Sequence, residues 1–527
     1  MRRFNVTGLC VPAKHYMVDI GGKIEKIMKL IDYGHYFTIN RARQYGKTTT
    51  LSWLEKSLAN GYICASISFE NTGDDDFSAP GAFCQMLLRN ISRALAFSSA
   101  PEGYAGAWLN DDVSGFDSLG VHIAELCKGK KVVLMIDEVD KASSNRVFLH
   151  FLGMLRAKYL SAQDERDHTF HSVILAGVTD IRNLKLKMIN DGIYTPEDNE
   201  GKIYNSPWNI AVDFDVDMSF APVEIATMLS DYEADHSTGM DIGLISEEIY
   251  KYTDGYPFLV SRICQHIDEK LDKSWSETGV QEAVKIVLGE NNTLFDDLFK
   301  NLENFKSLYQ FLYGILVVGE QNSFSVYNPD AQLALMFGYA KCDARSKKAL
   351  ISNKIFEIIM TNYFASKDEN AALVKTAPAW VLERDVAEDG VFDMELCMRK
   401  FAEHYREIFN ENDLPFFERH GRLLFISFLK PLVNGHGFYH IESQFTDLRK
   451  MDVVVDYGRD QFIIELKIWR GEAAQDKAYD QLLKYMEAKG AACGYLLTFD
   501  FRKGAKKEQK AEWVHIGDGK RIFEVIV

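Results

Sequence analysis

A chain of 527 residues is too long for one hydrophobic core, so several domains are expected. Apolar residues make up 47% and charged residues 26%, an ordinary globular balance that excludes a disordered or fibrous chain. The net charge of −16 argues against wholesale wrapping of nucleic acid. It is uneven, however: residues 396–527 carry 21 Lys+Arg against 20 Asp+Glu, so the acidity lies in the first three quarters. A C-terminal region so balanced can approach a phosphate backbone without that repulsion.

Met1 to Ile20 lacks the apolar stretch of a signal peptide. The most apolar runs, Phe311–Val318 and Leu423–Leu429, are far too short to span a bilayer, so no membrane is expected. The eight cysteines are scattered, with no CxxC pair. They read as small core residues with reduced thiols, which fits a cytoplasmic location.

Tyr36–Asn40 has the pattern of a short buried strand. Arg41 to Gly46 forms a loop, and KTTTLSWLEKSL from Lys47 onward has helical apolar spacing. Strand, loop ending in Gly-Lys-Thr, then helix is the context of a phosphate-binding loop. Backbone N–H groups at a helix N-terminus hold phosphate oxygens, which makes Arg43, Gln44, Tyr45, Gly46, Lys47, Thr48 and Thr49 candidate nucleotide-binding residues. Lys47 would reach the β- and γ-phosphates, and the Thr48 hydroxyl would ligate Mg²⁺. Arg41 stands where the first glycine of that motif is usual.

Tyr62–Phe69 is strand-like. Val132–Ile136 is a wholly apolar run ending in Asp137-Glu138, as expected of a strand buried on both faces in a parallel sheet. Asp137 would join the Mg²⁺ shell and Glu138 would polarise the attacking water. The plainer alternative is an acidic strand end that caps the next helix. His171–Val178 gives a further strand, followed by Thr179 as a candidate γ-phosphate sensor or an ordinary Thr-Asp turn. Trp208–Phe214 is expected to add one more strand.

YFTINRARQYGKTTTL, VVLMIDEVD and SVILAGVTDIRNL together resemble the bacterial AAA-ATPase-like family, related to the AAA+ and signalling (STAND) ATPases, over roughly residues 1–285. The resemblance implies ATP as ligand. It also softens the departure at Arg41, since that family carries arginines where the first glycine is expected. YTDGYPFLV is similar to the Gly-x-Pro lid motif of the signalling ATPases, which implies that Gly255 and Pro257 belong to a lid, with Pro257 near the adenine; a turn between helices is the alternative. Arg156 is one candidate arginine finger, should the chain form a homo-oligomer. Residues 286–395 begin helix-rich. Leu333–Tyr339 with Ser352–Phe356 looks like the winged-helix segment that follows the lid in related ATPases. No basic cluster accompanies it, so it reads as a relay.

The C-terminal portion carries a separate constellation. Phe416–Leu432 reads as an amphipathic helix containing Glu418. Strands follow around Phe438–Phe445 and at Met451–Val455, then a Gly458–Asp460 turn and the strand Phe462–Lys467. A helix with Gln481 and Tyr485 leads to an apolar strand at Gly494–Phe499. Glu465 and Lys467, two apart on one strand, share a face that Asp452 on the paired strand can meet. Two carboxylates there are hard oxygen ligands for Mg²⁺, with Mn²⁺ as a substitute. The metal would activate water, and Lys467 would orient or deprotonate that water. This order resembles the PD-(D/E)XK nuclease superfamily over roughly residues 396–527, which implies DNA as substrate. The resemblance gives Glu418 the part of the extra acidic residue on the first helix, and gives Gln481 and Tyr485 that of the QxxxY pair of the RecB-like branch. Met451 replaces the proline of the family name. Arg449 and Lys450 are candidate phosphate contacts or a solvated turn, and a meander of surface-charged strands is the plain alternative to the whole site.

The expected architecture is therefore α/β: a P-loop NTPase parallel sheet over 1–215, a helical lid over 216–285, a helical, winged-helix-like relay over 286–395, and a small restriction-endonuclease-like α/β domain over 396–527. The expected function is an ATP-binding, ATP-hydrolysing module controlling a Mg²⁺-dependent DNA nuclease. A signalling or scaffolding switch with a non-cleaving nuclease fold is the alternative. A motor on DNA is weaker, for want of a helicase motif or basic track.

Overall fold

The computed structural model describes residues 2–142, 145–178, 208–318, 325, 328–343, 347–370, 387–388, 391–408, 421, 424–426, 428–429, 432–433, 437–442, 452–457, 460–469, 471–502, 510–516 and 519–527. The chain forms two compact units, Met1–Ala283 with Met336–Gly338, and Val284–Leu335 with Tyr339–Val527.

In the first unit, β1 (Phe37–Asn40), β2 (Ile63–Ser68), β3 (Val132–Asp137) and β4 (Ser172–Gly177) form a parallel sheet in the order β1-β4-β3-β2. The continuous apolar sequences of β3 and β4 match their central places, where every residue is buried. One face is covered by a core rich in aromatics, including Phe69, Phe83, Phe148, Phe151 and Trp108. The helix Lys47–Leu58 follows β1 and buries Leu51, Leu54 and Leu58 at helical spacing. At its N-cap Gly46 has φ 78°, a conformation a Cβ would strain.

Trp208–Phe214 is not the strand that its sequence suggests. A turn at Trp208–Ile210 is followed by a single bridge, Val212 to Phe37. Side chains rather than a ladder anchor it: the Trp208 indole donates to Thr38 Oγ1 at 3.0 Å and Phe214 stacks on Phe37 at 5.9 Å. Three helices come next, Pro222–His236, Ile242–Thr253 and Pro257–Lys270. The N-terminal segment packs on them through Phe4 and Tyr16, whose rings lie 5.2 and 5.1 Å from that of Tyr232.

The second unit begins with helices Thr293–Asn304 and Lys306–Tyr313 and continues through the hairpin β5 (Ala340–Cys342) and β6 (Ala349–Ile351). The short pair β7 (Ala387–Glu388) and β8 (Val391–Phe392) precedes the helix Met394–Ile408. Then comes a six-stranded sheet of β9 (Gly437–Glu442), β10 (Asp452–Tyr457), β11 (Asp460–Ile468), β12 (Cys493–Phe499), β13 (Lys510–His515) and β14 (Arg521–Ile526), ordered β13-β14-β12-β11-β10-β9. β11, β12 and β14 run parallel; the other pairs are antiparallel. Strand alternation sends Val453, Val455, Ile464 and Leu466 into one core with Phe401 and Phe425. Val454, Ile463 and Leu496 enter a second core under the helix Glu472–Lys489, with Leu482 and Met486. Within the helix expected over 416–432, Leu424, Phe425 and Ile426 are helical; Glu418 lies outside the described residues.

Candidate functional site

The first site lies where strands of the parallel sheet give way to turns. β1 leads into the loop Arg41–Gly46, and β3 ends at Asp137. Thr48 Oγ1 donates to Asp137 Oδ2 at 2.7 Å, and Asp137 Oδ1 accepts from the N–H of Glu138 at 2.9 Å. Lys47 is only 8% exposed and donates to the carbonyls of Arg41 and Ala42, both at 3.0 Å. Burial pushes its ammonium below the ordinary value, against the pull of Glu138, Asp140 and Asp137. Burial also pushes the Glu138 carboxyl up, opposed by Lys47. Glu138 sits at φ 54°, a left-handed turn that swings the chain off the end of β3.

Arg41 is turned away from the loop interior. Its guanidinium donates to the carbonyls of Asn40 (2.7 Å) and Val216 (2.6 Å) and lies 5.2 Å from the centre of the Phe214 ring. The residue in place of the first glycine is thus an anchor for the segment that leads to the helices. Thr179 lies outside the described residues, two positions past the end of β4. Arg156 lies on the helix Arg146–Gln163, partly buried.

An apolar cavity of about 160 Å³ adjoins the loop, lined among others by Val18, Gly46, Thr49, Met228, Pro257 and Phe258. The turn before Pro257 depends on Gly255, at φ 72°. A Cβ there would fall 2.1 Å from the Phe220 carbonyl oxygen, whereas the Phe220 N–H donates to the Gly255 carbonyl at 2.8 Å. The neighbouring Tyr256 donates its hydroxyl to the Arg43 carbonyl at 2.6 Å and meets Tyr45 edge-on at 4.7 Å. Sequence reasoning missed the N-terminal wall of this cavity. The N–H of Cys10 donates to Thr49 Oγ1 at 3.3 Å, and Val11 N–H donates to His15 Nδ1 at 2.9 Å. No local pattern marks residues 5–20 as part of a site, because their partners are distant in sequence.

The second site lies on the face of the six-stranded sheet beneath the helix Glu472–Lys489. Asp452 on β10 stands directly opposite Glu465 on β11 and, on its other side, opposite Glu442 on β9. Residues directly opposite share a face, so three carboxylate-bearing positions run in one row; Glu442 was missed in the sequence because register is invisible there. Glu465, 1% exposed, pairs with Lys467, whose ammonium also donates to Gln481 Oε1 at 3.2 Å. Tyr485 is buried one turn further along the same helix. Lys467 is in turn the register partner of Thr498 on β12. There a second buried polar group begins: Gln475 donates to Thr498 Oγ1 (3.0 Å) and to Glu524 Oε1 (2.6 Å), and Lys510 pairs with Glu524 at 2.6 Å. Gln481 thereby fastens the helix to β11, and Gln475 fastens it to β12 and β14. Arg449 and Lys450 lie outside the described residues.

The parallel sheet with Gly46-Lys47-Thr48 set against Asp137 is that of a P-loop ATPase-like domain, and the mixed sheet is that of a small nuclease-like domain. The profile of the AAA-like domain matches residues 16–326, more than half of the chain, and that of the PD-(D/E)XK nuclease superfamily matches residues 438–511. The chain therefore belongs to the AAA-like domain family and carries a PD-(D/E)XK nuclease superfamily domain in its C-terminal part. No curated protein sequence matches it. Among solved structures, the Walker-type ATPase of Pyrococcus abyssi is similar at 12% identity, covering 68% of this chain and 99% of that one, with a TM-score of 0.46. The ORC2 protein of Aeropyrum pernix is similar at 15% identity over 69% and 98% of the two chains, TM-score 0.37. The Holliday junction branch migration motor RuvB of Thermotoga maritima is similar at 12% identity over 64% and 94%, TM-score 0.31. Among the described residues no helix is long and apolar enough to cross a membrane.

Proposed function

We propose that the chain binds and hydrolyses ATP at Arg43–Thr49 and that its nucleotide state controls a Mg²⁺-dependent DNA nuclease in the C-terminal domain. The reading divides the chain into a nucleotide core (1–215), a lid (216–285), a relay (286–395) and a nuclease domain (396–527), in a cytoplasmic, bacterial protein. What carries it is one observation made twice: each domain holds a lysine fixed by polar contacts at its site, Lys47 on the Arg41 and Ala42 carbonyls and Lys467 between Glu465 and Gln481.

At the nucleotide site Lys47 contacts the β- and γ-phosphates, and the loop N–H groups at the head of the Lys47–Leu58 helix hold phosphate oxygens. Pro257 and the apolar cavity receive the adenine. Glu138, its carboxyl pushed up by burial, takes the proton from the attacking water, and Thr179 contacts the γ-phosphate. The Thr48 hydroxyl and Asp137 carboxylate, already in contact, are a hard-oxygen pair that fits Mg²⁺. At the nuclease site Asp452 and Glu465, opposite in register, would supply a second pair of hard-oxygen ligands, with Glu418 as a further one. Magnesium there supplies charge neutralisation at the scissile phosphate and a more acidic water. Lys467, fixed by Glu465 and Gln481, orients that water and offsets the charge developing on the phosphate.

The test is cleavage of supercoiled plasmid with Mg²⁺ or Mn²⁺, with and without ATP, by wild type and Glu465→Ala. Wild type should cut, and Glu465→Ala should cut at least about a hundredfold more slowly. No cutting by wild type under any of these conditions would favour a switch that uses the nuclease fold for binding alone.

A further inference from the structure

We infer that Asp140 is a positioning residue for ATP hydrolysis, tying the turn that bears Glu138 to the end of β4 and through it to the start of the phosphate-binding loop. The inference rests on the ATP-site reading above and adds to it a residue that reading leaves without a role.

Past β3, the left-handed turn at Glu138 leads into a single 3₁₀ turn, Val139–Lys141, which carries Asp140 over the end of β4. There Asp140 Oδ2 accepts the N–H of Val178 at 2.6 Å. That N–H lies one residue past the end of β4, and a carboxylate acceptor gives it a short, charge-assisted bond. The approach is close because residue 177 is glycine. A Cβ on Gly177 would lie 2.9 Å from both Asp140 Oδ2 and Val139 Cγ2. The Gly177 carbonyl accepts the N–H of Arg41 at 3.1 Å, in continuation of the pairing of Asn40 with Gly177. The dipeptide Gly177-Val178 therefore gives its Gly177 carbonyl to the start of the loop that leads into Lys47 and its Val178 N–H to the turn that follows Glu138. Asp140 also lies close enough to Lys47 and Glu138 to act on both charges.

Holding phosphates needs Lys47 and the loop amides; hydrolysis needs, in addition, Glu138 at hydrogen-bond reach of a water in line with them. A shift of about 1 Å in such a group costs on the order of a hundredfold in rate with little effect on ground-state binding. Asp140 should therefore act on kcat and leave affinity alone.

The experiment measures steady-state ATPase kinetics and binding of a fluorescent ATP analogue on the full-length chain. Asp140→Ala should lose about 30-fold in kcat with a dissociation constant within about 3-fold of wild type. Asp140→Asn, whose amide oxygen can still accept the Val178 N–H, should recover to within about 5-fold of the wild-type kcat. Gly177→Ala strains the same contact from the other side, so it should show the same loss of kcat with retained binding even if Asp140→Ala fails to fold. A wild-type kcat in Asp140→Ala or Gly177→Ala overturns the inference, as does an Asp140→Asn variant as slow as Asp140→Ala. A wild-type protein that binds the analogue and hydrolyses no ATP overturns the ATPase reading itself, whatever the variants do.

Discussion

In the nucleotide-site half of the molecule, Lys47 and Thr48 open the helix after the loop that follows β1, and Asp137 and Glu138 sit where β3 gives way to a turn; both bends are held by backbone conformation, Gly46 at φ 78° and Glu138 at φ 54°. In the C-terminal half, Glu465 and Lys467 lie inside β11, with Asp452 brought opposite by strand register and Gln481 brought over by a helix laid across the sheet. The first arrangement is local. It is built from a loop and a turn at strand ends, with Lys47 and Asp137 buried there. The second is woven into the packing: Glu465 is buried on a central strand, so its charge, its partner Lys467 and the seating of the Glu472–Lys489 helix stand or fall together. A change there touches stability as well as chemistry, because an unpaired buried charge costs several kcal/mol.

The comparison is broken most sharply at the two lysines. Lys467→Ala should lower plasmid cleavage at least about a thousandfold while ATP hydrolysis stays within about 2-fold. It should also lower the melting temperature, because Glu465 loses its partner. Persistent cleavage would show that the second site is misassigned. Lys47→Ala should weaken ATP binding by about a hundredfold or more. Equal titration curves for the two proteins would sink the claim for this loop.

Metal sharpens the contrast at smaller amplitude. Asp452 and Glu465 are opposed in register, so if they hold a metal, Mn²⁺ at tenfold its dissociation constant should stabilise the nucleotide-free chain by about 1.4 kcal/mol. The Asp452→Asn, Glu465→Gln pair should abolish that response in a thermal melt; an unchanged response would move the metal to Thr48 and Asp137.

Smallest is a pH effect on the N-terminal segment. Burial, with Arg3 and Lys14 nearby, holds His15 below its ordinary value of 6.5, and its Nδ1 accepts the Val11 N–H, a bond the protonated ring cannot make. A depressed folded-state value means that the contribution is present in full above about pH 6.5 and is lost as pH falls through the folded value. Wild type should therefore lose about 2 °C more than His15→Asn between pH 7 and pH 5, and identical slopes would remove His15 from the account.

What was legible in the sequence follows the same division. The strand, loop and helix around Gly46 and the apolar strand before Asp137 announce themselves, because each is a short contiguous pattern with its turn residues in place. The β10–β11 pair and the following helix were legible as alternation and spacing. Whatever depends on distant partners was not. IAVDFDVDM after Trp208 alternates as a strand would, yet side-chain anchors leave it one bridge. The N-terminal wall of the cavity is held against Thr49 and the helices by contacts distant in sequence. Asp140 was visible in VVLMIDEVD, but its bond to Val178 crosses 38 residues, and nothing local distinguishes it from a solvated turn residue.

The central claim is that one nucleotide site governs one nuclease site, and it requires that ATP favour one of two arrangements of the chain over the other; tight binding alone shifts nothing. The most direct measurement is the rate of plasmid cleavage by wild type and Lys47→Ala, each with and without ATP at fixed Mg²⁺. Wild-type cleavage should change severalfold on adding ATP, while Lys47→Ala should cut at one rate in both conditions, with Glu465 and Lys467 untouched. Equal rates in all four measurements would contradict the account and leave two independent modules on one chain.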